Sequence, residues 1–344
     1  MTAAMRAVVI RGPGRPGLLG IEEVPIPPLG PGQVRVRVSA AALNFRDVHA
    51  RRAAETNQPD PLVPGSDFAG EIAEVGTGVT GFRPGERVVG ATPAGAQAEY
   101  VVVVPALLAH VPDGLDDVTA ATLPTAGLSA SFLLDLAGLT AGDSAVTYAP
   151  AGGLGSYLGG LLRAAGVRSI GITSTQAKAT AARAAGHEVV VVHSAGDLVS
   201  AVQAATDGQG AGIVFDSVGG PGFAARFGML SDGGTLILCG RAAGEPNLAD
   251  AQDQLISGRR NLALRDFYLA SHLARNLGEF RSRIGSLAAA LSAGHLRVPI
   301  TALPPDQIKD AHALLESGRS VGKLVLLFAS PSGTRRSRVR WPPP

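Results

Sequence analysis

The sequence predicts an α/β protein with two domains, one rich in short β-strands and one built on a doubly wound parallel sheet. Its 344 residues correspond to about two domains of ordinary size. Residues 5–110 contain many short β-branched runs separated by Gly and Pro, which is the pattern of a many-stranded β-domain. From about residue 120 onward, strand-like runs alternate with helical patterns, as they do in a parallel sheet with helical crossovers.

The predicted boundaries follow this change of pattern. The β-rich domain takes residues 1–121, and the parallel-sheet domain takes residues 122–297. Residues 298–330 have the pattern of strand, helix and strand, and we expect them to return to the first domain because so short a segment has little core of its own. Residues 331–344 have few apolar side chains and are predicted to form a disordered tail.

Composition limits the classes of partner. Hydrophobic residues make up 46% of the chain and charged residues 17%, which allows a large core. The net charge is +2, with no long charged run in the body of the chain, so we expect a small-molecule substrate and neither a nucleic acid nor a membrane. The apolar run at the N-terminus is too short for a signal peptide, which favours a cytoplasmic location.

A glycine-rich stretch, AVTYAPAGGLGSYLGG at residues 145–160, lies between a predicted strand and a predicted helix. Ala149, Gly152 and Gly155 have the spacing of a dinucleotide fingerprint with alanine in the first place, and such a turn brings backbone N–H groups to a pyrophosphate. The predicted pyrophosphate contacts are Ala151, Gly152, Gly153 and Leu154. A flexible connector is the alternative interpretation. Gly159 and Gly160 lie beyond the turn and are predicted to be close-packing positions.

The segment GITSTQAK follows the second strand of this domain and bears on the choice of cofactor. A site for NAD usually has Asp or Glu here, about 20 residues after the glycine turn, to hold the ribose hydroxyls. This chain has no acid in that segment, and it has Ser174 and Lys178 instead. Hydroxyls and a lysine suit a 2′-phosphate, so the sequence predicts NADPH as the cofactor. The alternative is that Lys178 is only a solvated helix residue.

Several stretches together resemble the medium-chain dehydrogenase/reductase superfamily in its zinc-free quinone oxidoreductase branch. They are AALNFRDV (41–48), PGSDFAGEIAEVGTGVTGFRPGERV (64–88), AATLPTAGLSA (120–130), LTAGDSAVTYAPAGGLG (139–155) and GRSVGKLVLL (318–327). The segment LNFRDV is similar to the enoyl reductase domains of modular polyketide synthases. The resemblance implies a GroES-like β-rich catalytic domain, a Rossmann NADP-binding domain, and a homodimer formed through the edge of the nucleotide sheet, for which the strand TLILCG is the candidate.

The resemblance also implies roles for individual residues. It places Asn44 and Asp47 beside the nicotinamide, and the remaining cofactor positions are Ser129, Cys239, Gly240, Arg241 and Lys323. Structural roles remain open as alternatives. Asn44 could be a turn residue, Ser129 an ordinary hydroxyl at a helix start, and Lys323 a surface strand residue. Asp47 could be a helix cap or form an ion pair with Arg46 or Arg51. Cys239 is expected to act as a small buried hydrophobe rather than as a nucleophile.

Metal chemistry is not expected. Zinc alcohol dehydrogenases of this superfamily carry Gly-His-Glu where this chain has Gly65-Ser66-Asp67, and Cys239 is the only cysteine in the sequence. The expected reaction is hydride transfer from NADPH to a conjugated enone, enoyl or quinone acceptor. The alternatives are a zinc-free ketone or aldehyde reductase, and an NADPH-binding sensor or interaction protein with little catalysis.

Three positions depart from the polyketide pattern. Glu55 stands near the place of a tyrosine, Arg241 at the place of a lysine, and Tyr268 at the place of an aspartate. Arginine holds its proton near neutral pH, so Arg241 is predicted to orient or stabilise an anion. The hypothesis for the proton donor is therefore Tyr268 or a water molecule. The alternative is that Tyr268 is a strand aromatic without a chemical role.

Overall fold

The structure, a computed structural model, describes residues 3–12, 16–52, 62–192, 197–256 and 258–328. The predicted tail at 331–344 and the position of Glu55 lie outside these ranges. The contacts divide the chain into two compact units. Unit 1 takes the residues up to Thr125, then Asn276–Ser292 and the residues from Ile300 onward, whereas unit 2 takes Ala126–Arg275 and Ala293–Pro299.

The strands fall in two groups along the chain. Those of the N-terminal part are β1 Ala4–Ile10, β2 Leu19–Pro25, β3 Val34–Ala42, β4 Asp67–Val75, β5 Arg87–Ala91, β6 Tyr100–Val103 and β7 Leu108–His110. Those that follow are β8 Ser144–Tyr148, β9 Arg168–Thr173, β10 Val189–Val192, β11 Ala211–Asp216, β12 Leu230–Leu238, β13 Ala263–Asp266, β14 Ile300–Leu303 and β15 Lys323–Leu327.

The α-helices are mostly short, and they occur in both units. They are α1 Phe45–Arg52, α2 Asp117–Ala120, α3 Leu128–Ala137, α4 Gly153–Ala164, α5 Gln176–Ala185, α6 Leu198–Ala205, α7 Ala249–Ile256, α8 Leu269–Arg275, α9 Phe280–Ser292 and α10 Ile308–Glu316. A π-helical turn at Leu123–Gly127 precedes α3. None of the helices in the described part of the chain is long and apolar enough to cross a membrane.

Unit 1 is built mainly on antiparallel pairing, and β14 and β15 are its one parallel pair among the named strands. In its larger sheet the strands follow the order β14-β15-β3-β4-β5-β7, with β6 also paired to β3, and β1 and β2 form a separate pair. The alternation in β3 explains its place at the centre, because Val34, Val36 and Val38 are buried while the arginines between them are only half-buried. The C-terminal strands join this sheet through the pairing of β15 with β3.

Unit 2 has the predicted parallel sheet, with the strand order β10-β9-β8-β11-β12-β13. All five pairings are parallel. From β8 the chain adds β9 and β10 on one side of the sheet, and it then adds β11, β12 and β13 on the other side. Ligands of such sheets bind at the carboxyl ends of the strands near this change of side, here between β8 and β11. The predicted fold class, an α/β protein with a GroES-like β-rich domain and a Rossmann-like parallel sheet, is confirmed.

Three local expectations differ from the structure. The strand TLILCG corresponds to the end of β12, which lies inside the sheet between β11 and β13, so it is not an edge strand. The pattern GFAARFGML predicts a helix after β11, but Ala224–Met229 forms a 3₁₀ helix. The pattern of residues 272–293 predicts one long helix, but α8 ends at Arg275 and α9 starts at Phe280.

Helix α9 also belongs to a different unit from the one that its position in the sequence indicated. The predicted range 122–297 included it, but its contacts assign Asn276–Ser292 to unit 1. Arg281 shows the physical reason, because its guanidinium donates hydrogen bonds to the backbone oxygens of Leu108 (3.0 Å) and Pro105 (2.9 Å). It also lies over the ring of Phe82, 5.0 Å from the ring centroid.

Candidate functional site

The loop after β8 in unit 2 has the backbone of a tight turn. Ala149, in the place of the first glycine of the fingerprint, has a φ of +52°, a conformation that glycine adopts far more easily than alanine. Gly155 cannot carry a side chain, since a Cβ there would lie 2.3 Å from the Ala149 oxygen and 2.6 Å from the Pro150 Cα. The alanine is therefore accommodated, and the third glycine is a steric requirement.

The N-terminus of α4 is open. Gly152 is its N-cap residue and offers no side-chain hydrogen bond, and the first turn contains no acidic residue. By contrast, Thr175 caps α5 and Asp197 caps α6 with side-chain oxygens. The first amides of an α-helix have no acceptor within the helix, so the amides of Gly153 and Leu154 can serve an anion. Ala151 is buried beside this turn.

Gly159 and Gly160 are close-packing positions, as predicted. A Cβ on Gly159 would lie 2.8 Å from the His187 ring, and a Cβ on Gly160 would lie 2.5 Å from Leu296 Cδ2. His187 Nε2 lies 2.9 Å from the backbone oxygen of Gly155, and burial lowers the pKa of this histidine to about 4. A neutral His187 therefore donates a hydrogen bond to the Gly155 oxygen and stabilises the first turn of α4.

The end of β9 presents the pair of residues expected to bind a 2′-phosphate. Ser174 is exposed, and Lys178 is half-buried in the first turn of α5. Burial lowers the pKa of the Lys178 ammonium. The first turn of α5 contains no acidic side chain, so no carboxylate there would repel a bound phosphate.

The turn after β12 contains Cys239, Gly240 and Arg241. The Cys239 thiol donates to the Asp216 backbone oxygen at 3.3 Å, and burial together with the Asp216 charge raises the pKa of the thiol far above its usual range. The side chain is therefore a neutral thiol and not a nucleophile. Arg241 forms ion pairs with Glu245 and with Asp266, both at 2.8 Å.

Two further predicted residues lie elsewhere in unit 2. Tyr268 directly precedes α8 and is 60% exposed. Ser129 is the second residue of α3, and it is buried. The exposure of Tyr268 leaves its hydroxyl open to water.

In unit 1, Asn44 and Lys323 are brought together from opposite ends of the chain. Lys323 Nζ donates a 2.6 Å hydrogen bond to Asn44 Oδ1, and Asn44 Nδ2 donates a 2.9 Å bond to Asp67 Oδ2. The amide of Asn44 therefore has one defined orientation, with its oxygen toward the cation and its nitrogen toward the carboxylate.

Lys323 lies in the interior of unit 1, although the resemblance placed it among the cofactor contacts. Its side chain is only 4% exposed, and Nζ also donates to the backbone oxygen of Leu43 at 2.8 Å and lies 3.9 Å from Asp67 Oδ2. Burial lowers the pKa of the ammonium, and the carboxylates of Asp67 and Asp47 oppose that shift. The alternative that Lys323 is a surface strand residue is therefore wrong.

Asp67 is a buried acid of this cluster that the sequence motifs did not indicate as a site residue. It is fully buried and accepts hydrogen bonds from the Thr125 hydroxyl (2.5 Å) and amide (3.1 Å), and its Oδ2 serves Asn44 as well. The signal in the sequence was an acid at the first position of a strand, followed directly by the small and apolar residues Phe-Ala-Gly, in SDFAG. Among the described residues, no group of three or more His, Cys, Asp or Glu could hold a metal ion.

Asp47 is a helix cap with an unusual charge environment. Its Oδ2 accepts the Asn44 amide at 2.9 Å and Gln97 Nε2 at 3.2 Å. Burial raises the pKa of the Asp47 carboxyl to about 6, although the hydrogen bond from the Asn44 amide acts against the shift. The capping alternative thus describes the geometry, and the raised pKa adds a group that can take up a proton near neutral pH.

The predicted site residues therefore form two groups. Asn44, Asp47 and Lys323 make a connected polar cluster in unit 1. The remaining residues lie in unit 2, on the loops after β8, β9 and β12, in α3, and at the start of α8.

Comparison with known families gives two matches. Residues 30–113 match the alcohol dehydrogenase GroES-like domain, and residues 185–326 match the family described as zinc-binding dehydrogenase. Among curated proteins, the chain is 32% identical over 304 residues to a quinone oxidoreductase of Pseudomonas aeruginosa, covering 87% of this chain and 92% of the relative. It is 31% identical over 330 residues to a 2-haloacrylate reductase of a Burkholderia species, covering 93% and 98%.

The chain also matches parts of much longer proteins. It is 32% identical over 314 residues to the pikromycin polyketide synthase component PikAII of Streptomyces venezuelae, and this match covers 89% of the chain but only 8% of the relative. Among solved structures, mycobacterial Rv1454c complexed with NADPH is similar, with a TM-score of 0.87 and 32% identity. That match covers 94% of this chain and 99% of the solved one.

Proposed function

The chain belongs to the quinone oxidoreductase branch of the medium-chain dehydrogenase/reductase superfamily, and we propose that it is an NADPH-dependent reductase of conjugated acceptors. The acceptor is an enone, an enoyl compound or a quinone. The observation that carries the proposal is the open, acid-free N-terminus of α4, reached through a turn with Gly152 and Gly155. Backbone amides in that position suit a pyrophosphate.

The preference for NADPH over NADH is supported by the loop after β9. Ser174 and Lys178 offer a hydroxyl and a cation, and the first turn of α5 has no carboxylate to repel a 2′-phosphate. The solved NADPH complex of a relative with 32% identity agrees with this assignment.

The acceptor class is supported by the names of two relatives. Quinones and 2-haloacrylates share an alkene conjugated to a carbonyl or carboxylate group, and the relatives are named for acting on such compounds. A conjugated acceptor takes a hydride at one end of its π-system and a proton at the other. The reaction needs groups that stabilise the anion formed between these two events.

We propose that the reaction proceeds without zinc. The support comes from the donor set, since Cys239 is the only cysteine in the sequence. Asp67 stands where zinc relatives carry glutamate, and both its carboxylate oxygens already accept hydrogen bonds from Asn44 and Thr125.

The roles of the side chains follow from their charge and partners. When bound, NADPH supplies the hydride. Asn44 is held with a defined amide orientation and can orient a polar group of a ligand, and Asp47 can hold a proton near neutral pH. Arg241 retains its proton and stabilises negative charge, whereas Tyr268 or water supplies the proton to carbon.

The test is NADPH oxidation with a panel of 1,4-naphthoquinone, an enone, an enoyl thioester and an aldehyde. We expect turnover with at least one conjugated acceptor, little turnover with the aldehyde, and no loss of activity after treatment with a zinc chelator. Deuterium from C4-labelled NADPH should appear at the β-carbon of the reduced enone. Turnover of the aldehyde alone would favour a carbonyl reductase, and NADPH binding without any turnover would favour a sensor or interaction protein.

The enoyl thioester separates two kinds of substrate. The chain spans only 8% of the polyketide synthase component that it matches, so action on a carrier-bound acyl chain is a proposal to be tested with a thioester. A thioester that reacts faster than the free enone would support a carrier-bound substrate, and the reverse order would support a free small molecule.

We also propose that the protein is a homodimer. The sheet of unit 2 ends in β10 on one side and β13 on the other, and β13 is the more exposed of the two and the candidate for sheet extension. Light scattering after gel filtration should give twice the mass of the chain. A monomeric mass at micromolar concentration would refute the dimer.

A further inference from the structure

Two buried charged residues of unit 2 have no part in the proposed chemistry. Asp216 ends β11 and is fully buried, and Arg226, in the following 3₁₀ helix, is 4% exposed. Arg226 Nη1 forms an ion pair with Asp216 Oδ2. Charges this deeply buried carry a large desolvation cost, and an apolar pair of similar volume often stabilises a fold equally well. The pair therefore calls for an explanation other than stability.

Both residues of this ion pair form hydrogen bonds with the same short loop, residues 217–220, which follows β11. Asp216 Oδ1 accepts the amides of Val218 (2.8 Å) and Gly219 (3.1 Å), while Arg226 Nη2 donates to the Gly219 oxygen at 2.8 Å. Gly219 and Gly220 have φ values of +61° and +66°, a conformation that glycine makes accessible but does not itself select. The ion pair thus selects one shape for the loop after β11.

The loop after β11 is hydrogen-bonded to the segment after β12, which contains the predicted cofactor residues Cys239 and Gly240. The amide of Ala243 donates to the Val218 oxygen at 2.8 Å, and the amide of Cys239 donates to the Asp216 oxygen at 2.8 Å. A Cβ on Gly240 would lie 2.6 Å from the Ser217 oxygen, so these two loops are in direct backbone contact. Displacing the loop after β11 would displace Gly240 and its neighbours.

The ion pair and its loop also contact Tyr148, at the start of the turn that is predicted to bind the pyrophosphate. Ser217 Oγ donates to the Tyr148 oxygen at 3.3 Å, and the Arg226 guanidinium lies over the Tyr148 ring, 4.4 Å from its centroid. Tyr148 directly precedes Ala149, the residue with positive φ. The ion pair and the loop after β11 therefore connect the loops at the carboxyl ends of β8, β11 and β12 through direct contacts.

We propose that Asp216 and Arg226 are positioning residues that preorganise the dinucleotide site of unit 2. They keep the three loops in the shape that NADPH requires, so that binding does not have to order them. The inference rests on the proposed function, because it takes NADPH as the ligand of these loops. It assigns no contact between either residue and the cofactor.

The test compares two double variants that each remove one Arg–Asp pair from unit 2. Asp216→Asn with Arg226→Met removes both charges and leaves no uncompensated charge buried. Asp232→Asn with Arg260→Met is the control, a more exposed Arg–Asp pair away from the three loops, since Arg260 pairs with Asp232 at 3.0 Å and donates to the Leu230 oxygen at the amino end of β12. Arg226→Lys is the conservative variant, which keeps the charge but has one nitrogen for two acceptors.

Two readouts separate positioning from stability. Hydrogen exchange of the cofactor-free protein should become at least tenfold faster at residues 217–220 and 239–244 in the Asp216/Arg226 variant, and stay unchanged there in the control. The NADPH Kd, measured well below each thermal midpoint, should rise at least tenfold in that variant and stay within twofold in the control. Arg226→Lys should keep the wild-type thermal midpoint and raise the NADPH Kd severalfold.

The outcomes distinguish this inference from the proposed function. A wild-type chain that binds no NADPH would overturn the proposed function and, with it, the ligand assigned here. If the wild type binds NADPH and the Asp216/Arg226 variant binds it equally well, only the positioning role is wrong. Equal weakening of NADPH binding in the control pair would also overturn that role, because it would reveal a general effect of lost stability.

Discussion

Lys323 and Asn44 lie 279 positions apart in the chain, and their side chains are joined by a 2.6 Å hydrogen bond from Nζ to Oδ1. Asp67 completes the contact from the other side, accepting a 2.9 Å bond from Asn44 Nδ2. A buried ammonium and a buried carboxylate thus fix the direction of one amide, which cannot rotate without leaving one of them unpaired.

Lys323→Met should lower kcat at least tenfold while leaving the NADPH Kd within twofold. The substitution keeps an unbranched apolar chain but removes the donor to Asn44 and the cation beside Asp67. The measurement is steady-state kinetics with the best acceptor of the panel, together with NADPH fluorescence titration. Lys309→Met, at an exposed position of α10, is the control. Unchanged kcat in Lys323→Met would show that the orientation of Asn44 is irrelevant to turnover.

Asp47→Asn should change how stability depends on pH. The pKa of the folded Asp47 carboxyl is raised from 3.8 to about 6 by burial, so the folded state binds the proton more tightly than the unfolded chain. The stabilisation from protonated Asp47 is therefore fully present below about pH 4 and is lost as the pH rises through about 6. The difference corresponds to roughly 3 kcal/mol.

Urea unfolding between pH 4 and 8 measures this effect. Relative to the wild type, Asp47→Asn should gain stability as the pH rises, since asparagine cannot ionise. Asp113→Asn, at an exposed turn, is the control. Parallel pH profiles for the wild type and Asp47→Asn would contradict the raised pKa.

Lys178→Ala should raise the KM for NADPH by roughly tenfold to a hundredfold and leave the KM for NADH unchanged. The reason is that an ammonium recognises the 2′-phosphate and has nothing to recognise on a ribose hydroxyl. Arg183→Ala removes a cation from the exposed last turn of the same helix and is the matched control. An equal effect of Lys178→Ala on both cofactors would place the lysine away from the 2′-phosphate.

Gly155→Ala should raise the NADPH Kd at least tenfold, whereas Gly160→Ala should change it less than threefold. The new Cβ at residue 155 would meet backbone atoms of Ala149 and Pro150, which cannot move without opening the turn. At residue 160 it would meet the end of the flexible Leu296 side chain. NADPH titration and thermal unfolding of both variants check this contrast. Wild-type affinity in Gly155→Ala would remove the turn from the cofactor site.

Tyr268→Phe should slow product formation at least tenfold if its phenol supplies the proton to carbon. The 60% exposure of Tyr268 makes water the competing donor. Single-turnover reduction of the enone, with a solvent deuterium isotope effect on both proteins, distinguishes the two donors. Wild-type turnover in Tyr268→Phe would assign the proton to water and leave Tyr268 an exposed aromatic residue.

Local patterns were sufficient for the fold class and for the tight turn after β8. Alternating strand and helix signals depend on side-chain periodicity within about ten residues, and the glycines after β8 are required by sterics within one turn. These signals also separated Gly155, in the first turn of α4, from Gly159 and Gly160 further along the helix. The same reasoning failed for TLILCG, because the identity of the edge strand depends on strand order and not on composition.

The polar clusters were decided by the tertiary structure. Asp67 is bound by Asn44 and Thr125, which are 23 and 58 positions away, and no periodicity connects residues at such separations. Asp216 and Arg226 are only ten positions apart, but their pairing depends on the shape of a loop whose glycines have positive φ. Desolvation is the physical reason that these contacts matter. A charge that folding has removed from water must be paired by protein groups, and it therefore fixes the positions of those groups.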